Sequence, residues 1–176
     1  CSTASSHVTA QPPVSSTSAM ARHGVRRFIL SSSAATYGDP EAVPIPEDAP
    51  TRPTNPYGES KLLCERILRW FGLIHGVAWA SLRYFNAAGA TARHGEDHAE
   101  ETHLIPLALR AAAGLGPHLQ VYGSDYPTPD GSCLRDYVHV QDLAEAHLRA
   151  LERMQEGTAG VFNLGNGQGF SVLDVI

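Results

Sequence analysis

Arg27-Phe-Ile-Leu-Ser-Ser-Ser33, Asn55-Pro-Tyr-Gly-Glu-Ser-Lys61 and Val77-Ala-Trp-Ala-Ser-Leu-Arg-Tyr84 are the segments on which the fold turns. The first is an apolar run that ends in hydroxyls, which predicts a strand over 28–32. The second opens a helix: Asn55 can cap it, Pro56 suits its first position, and Glu59 lies where the dipole favours an anion. Leu63, Ile67 and Phe71 then recur at helical spacing, and Leu62 and Leu68 widen the stripe. The third segment is apolar throughout rather than alternating, which suits a parallel sheet buried on both faces. Strand, helix and strand in this order form a βαβ layout.

The same segments place chemistry together. Tyr57 and Lys61 are four apart, so on a helix they share one face. A cation beside a phenol favours phenolate and lowers a reference pKa of about 10. Tyr57 is therefore a candidate proton-transfer residue, with Ser33 as a hydrogen-bond relay. Taken alone, the Tyr-x-x-x-Lys spacing also suits surface decoration, Ser31–Ser33 a turn cluster, and Tyr84 and Phe85 core aromatics.

The chain has 176 residues, is 43% hydrophobic and 18% charged, and carries a net charge of −5. An acidic balance counts against general binding to nucleic acid or anionic membranes. No apolar run approaches the roughly 18 residues that span a bilayer. Cys1, Cys64 and Cys133 are scattered and odd in number, which fits a reducing cytoplasm better than a disulfide framework or a zinc site.

Residues 1–19 are rich in Ser, Thr and Ala, contain no Asp, Glu, Lys or Arg, and read as irregular: disordered, or translated out of frame. Met20 to Gly24 reads as a helix end closed by glycine. Prolines 40, 44, 46, 50 and 53 mark a loop. Beyond Asn86 the pattern predicts a helix over 104–115 and short strands over 119–122, 137–140 and 161–164. Asp142 is expected to cap a helix over 143–154, and Ser171-Val-Leu-Asp174 has capping-box spacing.

With these motifs in order, the chain resembles the extended short-chain dehydrogenase/reductase superfamily: Ser31-Ser-Ser-Ala-Ala-Thr-Tyr-Gly38, Asn55 to Lys61, and Leu82-Arg-Tyr-Phe-Asn-Ala-Ala-Gly89. Gly123-Ser-Asp-Tyr-Pro-Thr-Pro-Asp-Gly131, Leu134-Arg-Asp-Tyr-Val-His-Val140 and Asn163-Leu-Gly165 narrow the likeness to its UDP-glucose 4-epimerase family, from about Ala21 to the last residue. The resemblance implies an α/β fold: a partial Rossmann-type doubly wound parallel sheet plus part of a smaller α/β substrate-binding domain. Residues 20–86 would be the C-terminal half of the NAD-binding domain, and 87–176 the UDP-sugar region.

It also implies a chemistry. Tyr57 would remove the proton of the sugar 4-hydroxyl with Ser33 bridging, while a bound NAD accepts and returns hydride, interconverting UDP-glucose and UDP-galactose. The catalytic set is Ser33, Tyr57 and Lys61, and Tyr84 and Phe85 join them around the cofactor. Asn86, His103, Leu104, Val121, Tyr122 and Arg135 join Ser33 and Tyr57 around the UDP-sugar. A sugar that must turn over cannot be gripped tightly, so binding energy has to come from the nucleotide. A planar guanidinium at Arg135 suits a diphosphate, although Arg135-Asp136 read alone is a strand-end ion pair.

A homodimer and a cytoplasmic location are implied as well, and no metal. Alternatives are another nucleotide-sugar epimerase, dehydratase or decarboxylase, or an inactive scaffold. Ala34 and Ala35 stand where dehydratases carry acidic residues. The family's G-x-x-G-x-x-G turn is missing from the sequence, so the chain is expected to be a central piece of such an enzyme, inactive by itself. Two further motifs are expected to be inert. Gly165-Asn-Gly-Gln-Gly169 is G-x-G-x-G rather than the dinucleotide fingerprint, and His94-Gly-Glu-Asp-His98 reads as a solvated loop. His139 and His147 read as structural or surface groups.

Overall fold

The computed structural model describes residues 13–176, with side chains from Thr17 onward. Helix α1 (Pro13–Arg22) leads into strand β1 (Arg27–Ser33), a single 3-10 turn (Ala34–Thr36) and helix α2 (Pro56–His75). Strands β2 (Ala78–Tyr84) and β3 (Asn86–Ala88), helix α3 (Leu104–Ala112) and strands β4 (Leu134–Arg135) and β5 (Tyr137–His139) follow. Helix α4 (Val140–Arg153), strands β6 (Ala159–Leu164) and β7 (Phe170–Ser171) and helix α5 (Val172–Val175) complete the chain.

The main sheet is parallel, in the order β1-β2-β6. Its central strand β2 is buried from Ala78 to Arg83, the two-sided burial expected of an uninterrupted apolar run. Because side chains alternate along a strand, the two faces can be told apart. Ala78, Ala80 and Leu82 pack with Met154, Ile29 and Leu164 on one face. On the other, Trp79 lies against Gly72 of α2, where an added Cβ would fall 2.7 Å from its indole nitrogen. Helices thus cover both faces, as in a doubly wound sheet.

The α2 face holds a buried ionic knot. Arg83 Nε and Nη2 donate to the Glu65 carboxylate at 3.0 and 2.6 Å, and Ser32 Oγ donates to it at 2.5 Å. The Arg83 guanidinium also lies 4.5 Å from the centre of the Tyr37 ring. Burial would lower the arginine's pKa, but Glu65 and Tyr37 together more than offset it, so the net direction is up. This knot corrects the expected stripe of α2. The buried positions are Leu62, Glu65 and Leu68, whereas Leu63 is exposed. A charged residue at the centre of the buried stripe hides it from a search for apolar periodicity.

Four other expectations change. Helix α1 begins at Pro13, so residues 13–19 are helical rather than irregular; residues 1–12 lie outside the described part. Residues 119–122 form no strand, because they pair with no neighbouring strand. Helix α4 starts at Val140 with His139 as its cap, the ring nitrogen accepting from Gln141 N at 3.2 Å, which puts Asp142 in the first turn. Helix α3 stops at Ala112, three residues before the expected end. The Ser171–Asp174 capping box forms as read, with both reciprocal bonds present.

Removing one partner of a buried pair leaves an uncompensated charge. Glu65→Leu is expected to cost about 3–5 kcal/mol in urea unfolding. Adding Arg83→Met should restore much of that loss, because the orphaned charge is then gone.

Candidate active site

Register brings the site together. Ser33, Tyr84 and Leu164 are paired across the sheet, so the three strands end level at their carboxyl edge. After Ser33 the chain turns sharply: its Oγ accepts from Ala35 N at 3.2 Å, and Thr36 Oγ1 donates back to its carbonyl at 2.9 Å. Helix α2 starts directly over that turn. Asn55 Oδ1 caps it by accepting from Gly58 N at 2.8 Å. A Cβ on Gly58 would lie 2.4 Å from the carbonyl oxygen of Ala35, so glycine is what lets the first turn sit on the strand end. That close approach, invisible in the Tyr-x-x-x-Lys pattern, puts Tyr57 beside the end of β1.

Tyr57 is 56% exposed, an open phenol at the carboxyl edge. The Lys61 ammonium lies 5.6 Å from its ring centre, so the expected shared face is real. The ammonium also donates to the Ser31 carbonyl at 2.9 Å, which ties α2 to β1. Tyr84 points to the opposite face of the sheet, where its hydroxyl meets Ser31 Oγ at 2.9 Å and His147 Nε2 at 2.7 Å. Burial pushes the Tyr84 phenol up; the Ser31 hydrogen bond opposes that, and the charge of Tyr57 adds to it. Phe85 bonds through its N–H to Leu164 O at 3.2 Å.

Ser33, Tyr57, Lys61, Tyr84 and Phe85 therefore gather at one edge, on adjacent element ends. The other named residues are placed differently. Asn86 opens β3, and its backbone and side-chain N–H groups both donate to Asp136 O at 2.9 Å. His103 precedes α3 without capping it, and its ring and backbone N–H each lie 2.8 Å from the Glu101 carboxylate. Leu104 opens the same helix, none of whose residues is buried. Val121 and Tyr122 are exposed in an irregular segment, the phenol donating to Gln120 Oε1 at 2.9 Å. Arg135 is exposed in β4, with Nη1 donating to Leu134 O at 3.3 Å. It forms no ion pair with Asp136 among the described contacts.

Asp136 instead occupies the glycine run. Its carboxylate accepts from Asn166 N at 2.7 Å and from Gly167 N at 3.0 Å. Gly167 has φ +74°, which favours glycine, and a Cβ on Gly165 would lie 2.4 Å from Asp136 Oδ2. The amides of the G-x-G-x-G turn are thus taken by an internal anion. Beside them an open cavity of about 380 Å³ is lined by Gly89, Tyr137, His139, Asp142, Gly165 and Asn166, none of them in the expected substrate set.

The His94–His98 segment is an exposed loop, as its composition predicts. His98 meets Glu96 rather than His94, and with His103 they bring three ligand-type atoms within 4.8 Å of one another at the surface. The Glu96 hydrogen bond and charge raise the His98 imidazole's pKa, which favours its protonated form and opposes metal binding there.

A family model described as the NAD dependent epimerase/dehydratase family matches residues 7–165. The match starts fourteen residues before Ala21. A UDP-glucose 4-epimerase of Halalkalibacterium halodurans is 52% identical over 160 residues, covering 89% of this chain and 48% of its own. One from Streptomyces lividans is 54% identical over 158 residues, covering 90% and 48%. The chain thus spans about half the length of the curated relatives it matches. The crystal structure of UDP-glucose 4-epimerase from Brucella ovis in complex with NAD superposes with a TM-score of 0.86 at 44% identity, covering 93% of this chain and 51% of that one.

If Asp136 is what orders the glycine run, Asp136→Ala should speed amide exchange at Asn166 and Gly167 by roughly tenfold or more, measured by NMR. Exchange within β2 should stay unchanged.

Proposed function

The chain belongs to the NAD dependent epimerase/dehydratase family, and from that premise we propose that it supplies the catalytic part of a UDP-glucose 4-epimerase. The observation that carries this reading is Tyr57, with Lys61 beside its ring, standing over the turn that follows Ser33 at the level carboxyl ends of a parallel sheet, where open α/β sheets bind ligands. The names of the relatives, UDP-glucose 4-epimerases at half identity or better, support the substrate pair UDP-glucose and UDP-galactose.

The donor set fits a nicotinamide nucleotide at this edge. Tyr57, Lys61 and Ser33 offer a phenol, an ammonium and a hydroxyl on neighbouring positions, and Phe85 offers an aromatic edge beside the close-packed Gly165. Tyr57, Lys61, Ser33 and Phe85 would hold NAD, which would supply a reversible hydride acceptor. The Tyr57 phenolate takes the proton of the 4-hydroxyl and later returns it, within reach of bulk water because the ring is open. Lys61 holds its ammonium 5.6 Å from the centre of that ring. Ser33, one residue beyond the buried Ser32, is the hydroxyl that orients the sugar oxygen.

The nucleotide is the grip. Arg135, exposed on its short strand, is proposed to meet the diphosphate, with Asn86, His103, Leu104, Val121 and Tyr122 around the uridine side. That scheme leaves the hexose free to turn while binding energy comes from the UDP. No G-x-x-G-x-x-G turn occurs in the sequence. We assign turnover to the chain together with a glycine-rich nucleotide-binding half, not to the 176 residues alone. No helix among the described residues is long and apolar enough to cross a membrane, in keeping with a proposed cytoplasmic enzyme.

A homodimer is part of the same reading. Helix α2 leaves Leu63, Trp70, Leu73 and Ile74 exposed opposite its buried stripe, an apolar face that a second copy of the helix can cover.

A coupled assay of UDP-galactose conversion tests the chemistry. Turnover is expected when the chain is joined to a glycine-rich half and not with the 176 residues alone. In the active polypeptide Tyr57→Phe should lower kcat by roughly a hundredfold or more; unchanged turnover would remove Tyr57 from proton transfer. For the assembly, Trp70→Asp should convert a dimer to a monomer in light scattering, and a persisting dimer would exclude this face.

A further inference from the structure

His147 is a titratable side chain at the edge of the site that no step above uses. It sits half-buried on α4 and meets three groups. Its Nδ1 lies 2.8 Å from the carbonyl oxygen of Leu143. A carbonyl only accepts, so Nδ1 carries hydrogen. Its Nε2 lies 2.7 Å from the Tyr84 hydroxyl and 3.4 Å from Ser31 Oγ. The two rings meet edge-on, with centres 5.7 Å apart.

Proton counting then gives the ring a role. With hydrogen on Nδ1, the neutral ring presents a bare lone pair at Nε2. The Tyr84 hydroxyl has one proton and two neighbours, Nε2 at 2.7 Å and Ser31 Oγ at 2.9 Å. Given to Nε2, that proton leaves the phenol oxygen to accept from Ser31. Donation then runs in one direction, from Ser31 to Tyr84 to His147 to the Leu143 carbonyl, with every link matched. The backbone carbonyl of the same Ser31 anchors the Lys61 ammonium at 2.9 Å.

We propose that His147 is a positioning residue. As the neutral Nδ1–H tautomer it accepts from Tyr84 and, through Tyr84 and Ser31, fixes the end of β1 to which Lys61 is tied. Helix α4, on the face of the sheet opposite α2, thereby sets the placement of a residue on α2. A hydrophobic side chain could fill the same space but would leave the phenol without its acceptor. The functional half of the proposal rests on the epimerase reading; the proton arrangement does not.

Long-range proton–nitrogen NMR on the 176-residue chain reads the tautomer directly, with His147 assigned by the loss of its signals in His147→Gln. The Nδ1–H form is expected in the neutral ring, with an Nε2 signal that moves in Tyr84→Phe. An Nε2–H form, or an Nε2 signal indifferent to that change, overturns the proposal. In the active polypeptide, His147→Leu should lower kcat roughly tenfold with KM for UDP-galactose unchanged. His147→Gln, whose side-chain oxygen can still accept, should recover most of that loss. Equal losses in both variants, or a loss confined to KM, also overturn it. Absence of turnover in every unsubstituted polypeptide would refute the epimerase reading, and the tautomer would still decide the role of the ring.

Discussion

The Glu65 carboxylate is the constraint around which the rest is arranged. It takes two hydrogen bonds from Arg83 on the central strand and one from Ser32 on β1, and so fixes α2 against both at once. Its position along α2 matters as much as its charge. Lys61 lies one turn before it and Tyr57 two turns before it, so the angle at which the helix meets the sheet decides where the phenol and the ammonium end up. Ser33 and Tyr84 are the next residues after Ser32 and Arg83, and inherit their positions from the same knot. A buried ion pair contributes little net stability compared with an apolar contact of the same volume. Its value here is directional, because a bidentate guanidinium–carboxylate pair accepts one register and one rotation, where leucines would accept several.

Much of this was legible before the structure. The αL glycine after α1, the Asn55-Pro56 start of α2, the buried parallel strand at 78–84 and the Ser171–Asp174 capping box all depend on short-range rules, and all hold. The meeting of Tyr57 and Lys61 follows from helical spacing alone. What failed depended on partners distant in sequence or on a local cap of unusual type. Apolar periodicity set the stripe of α2 off centre: Leu62 and Leu68 are buried and Ile67 and Phe71 half-buried, but Leu63 is exposed, and the centre of the buried stripe is a glutamate whose partner lies 18 residues on. The run at 119–122 is apolar enough for a strand but has no neighbour to pair with. His139 caps α4 in place of Asp142, which no ranking of capping residues would have chosen. His147 is a hydrogen-bonded structural group, as expected, but its partners on two strands more than 60 residues away are invisible in the sequence.

The substrate side divides along the same line. Residues at the sheet edge are held by strand register and buried bonds, so their proximity is a property of the fold. Arg135, His103, Val121 and Tyr122 stand on short strands or irregular segments with their side chains open to solvent. For an enzyme that must hold a nucleotide while its sugar turns, such a division is physically reasonable. The proton-transfer group needs fixed geometry, because efficiency falls steeply with misplacement. In the proposed reading the nucleotide contacts would supply affinity from a distance.

The glycine run shows why a motif is weaker than its surroundings. Successive backbone N–H groups in a turn with positive φ form a concavity that takes an anion, whether a phosphate or a carboxylate. At 165–167 the chain provides its own: Asp136 is delivered by β5 and its flanking residues, and its carboxylate satisfies two of those amides. An intramolecular partner already in place competes against any phosphate from solution with a large advantage in effective concentration. The same Asp136 presents its backbone carbonyl to both N–H groups of Asn86, so the turn after β6 is coupled to the start of β3. Asn86 follows Phe85 directly. What resembled a phosphate loop is therefore a brace, and it holds the strand ends from which the aromatic side of the site projects.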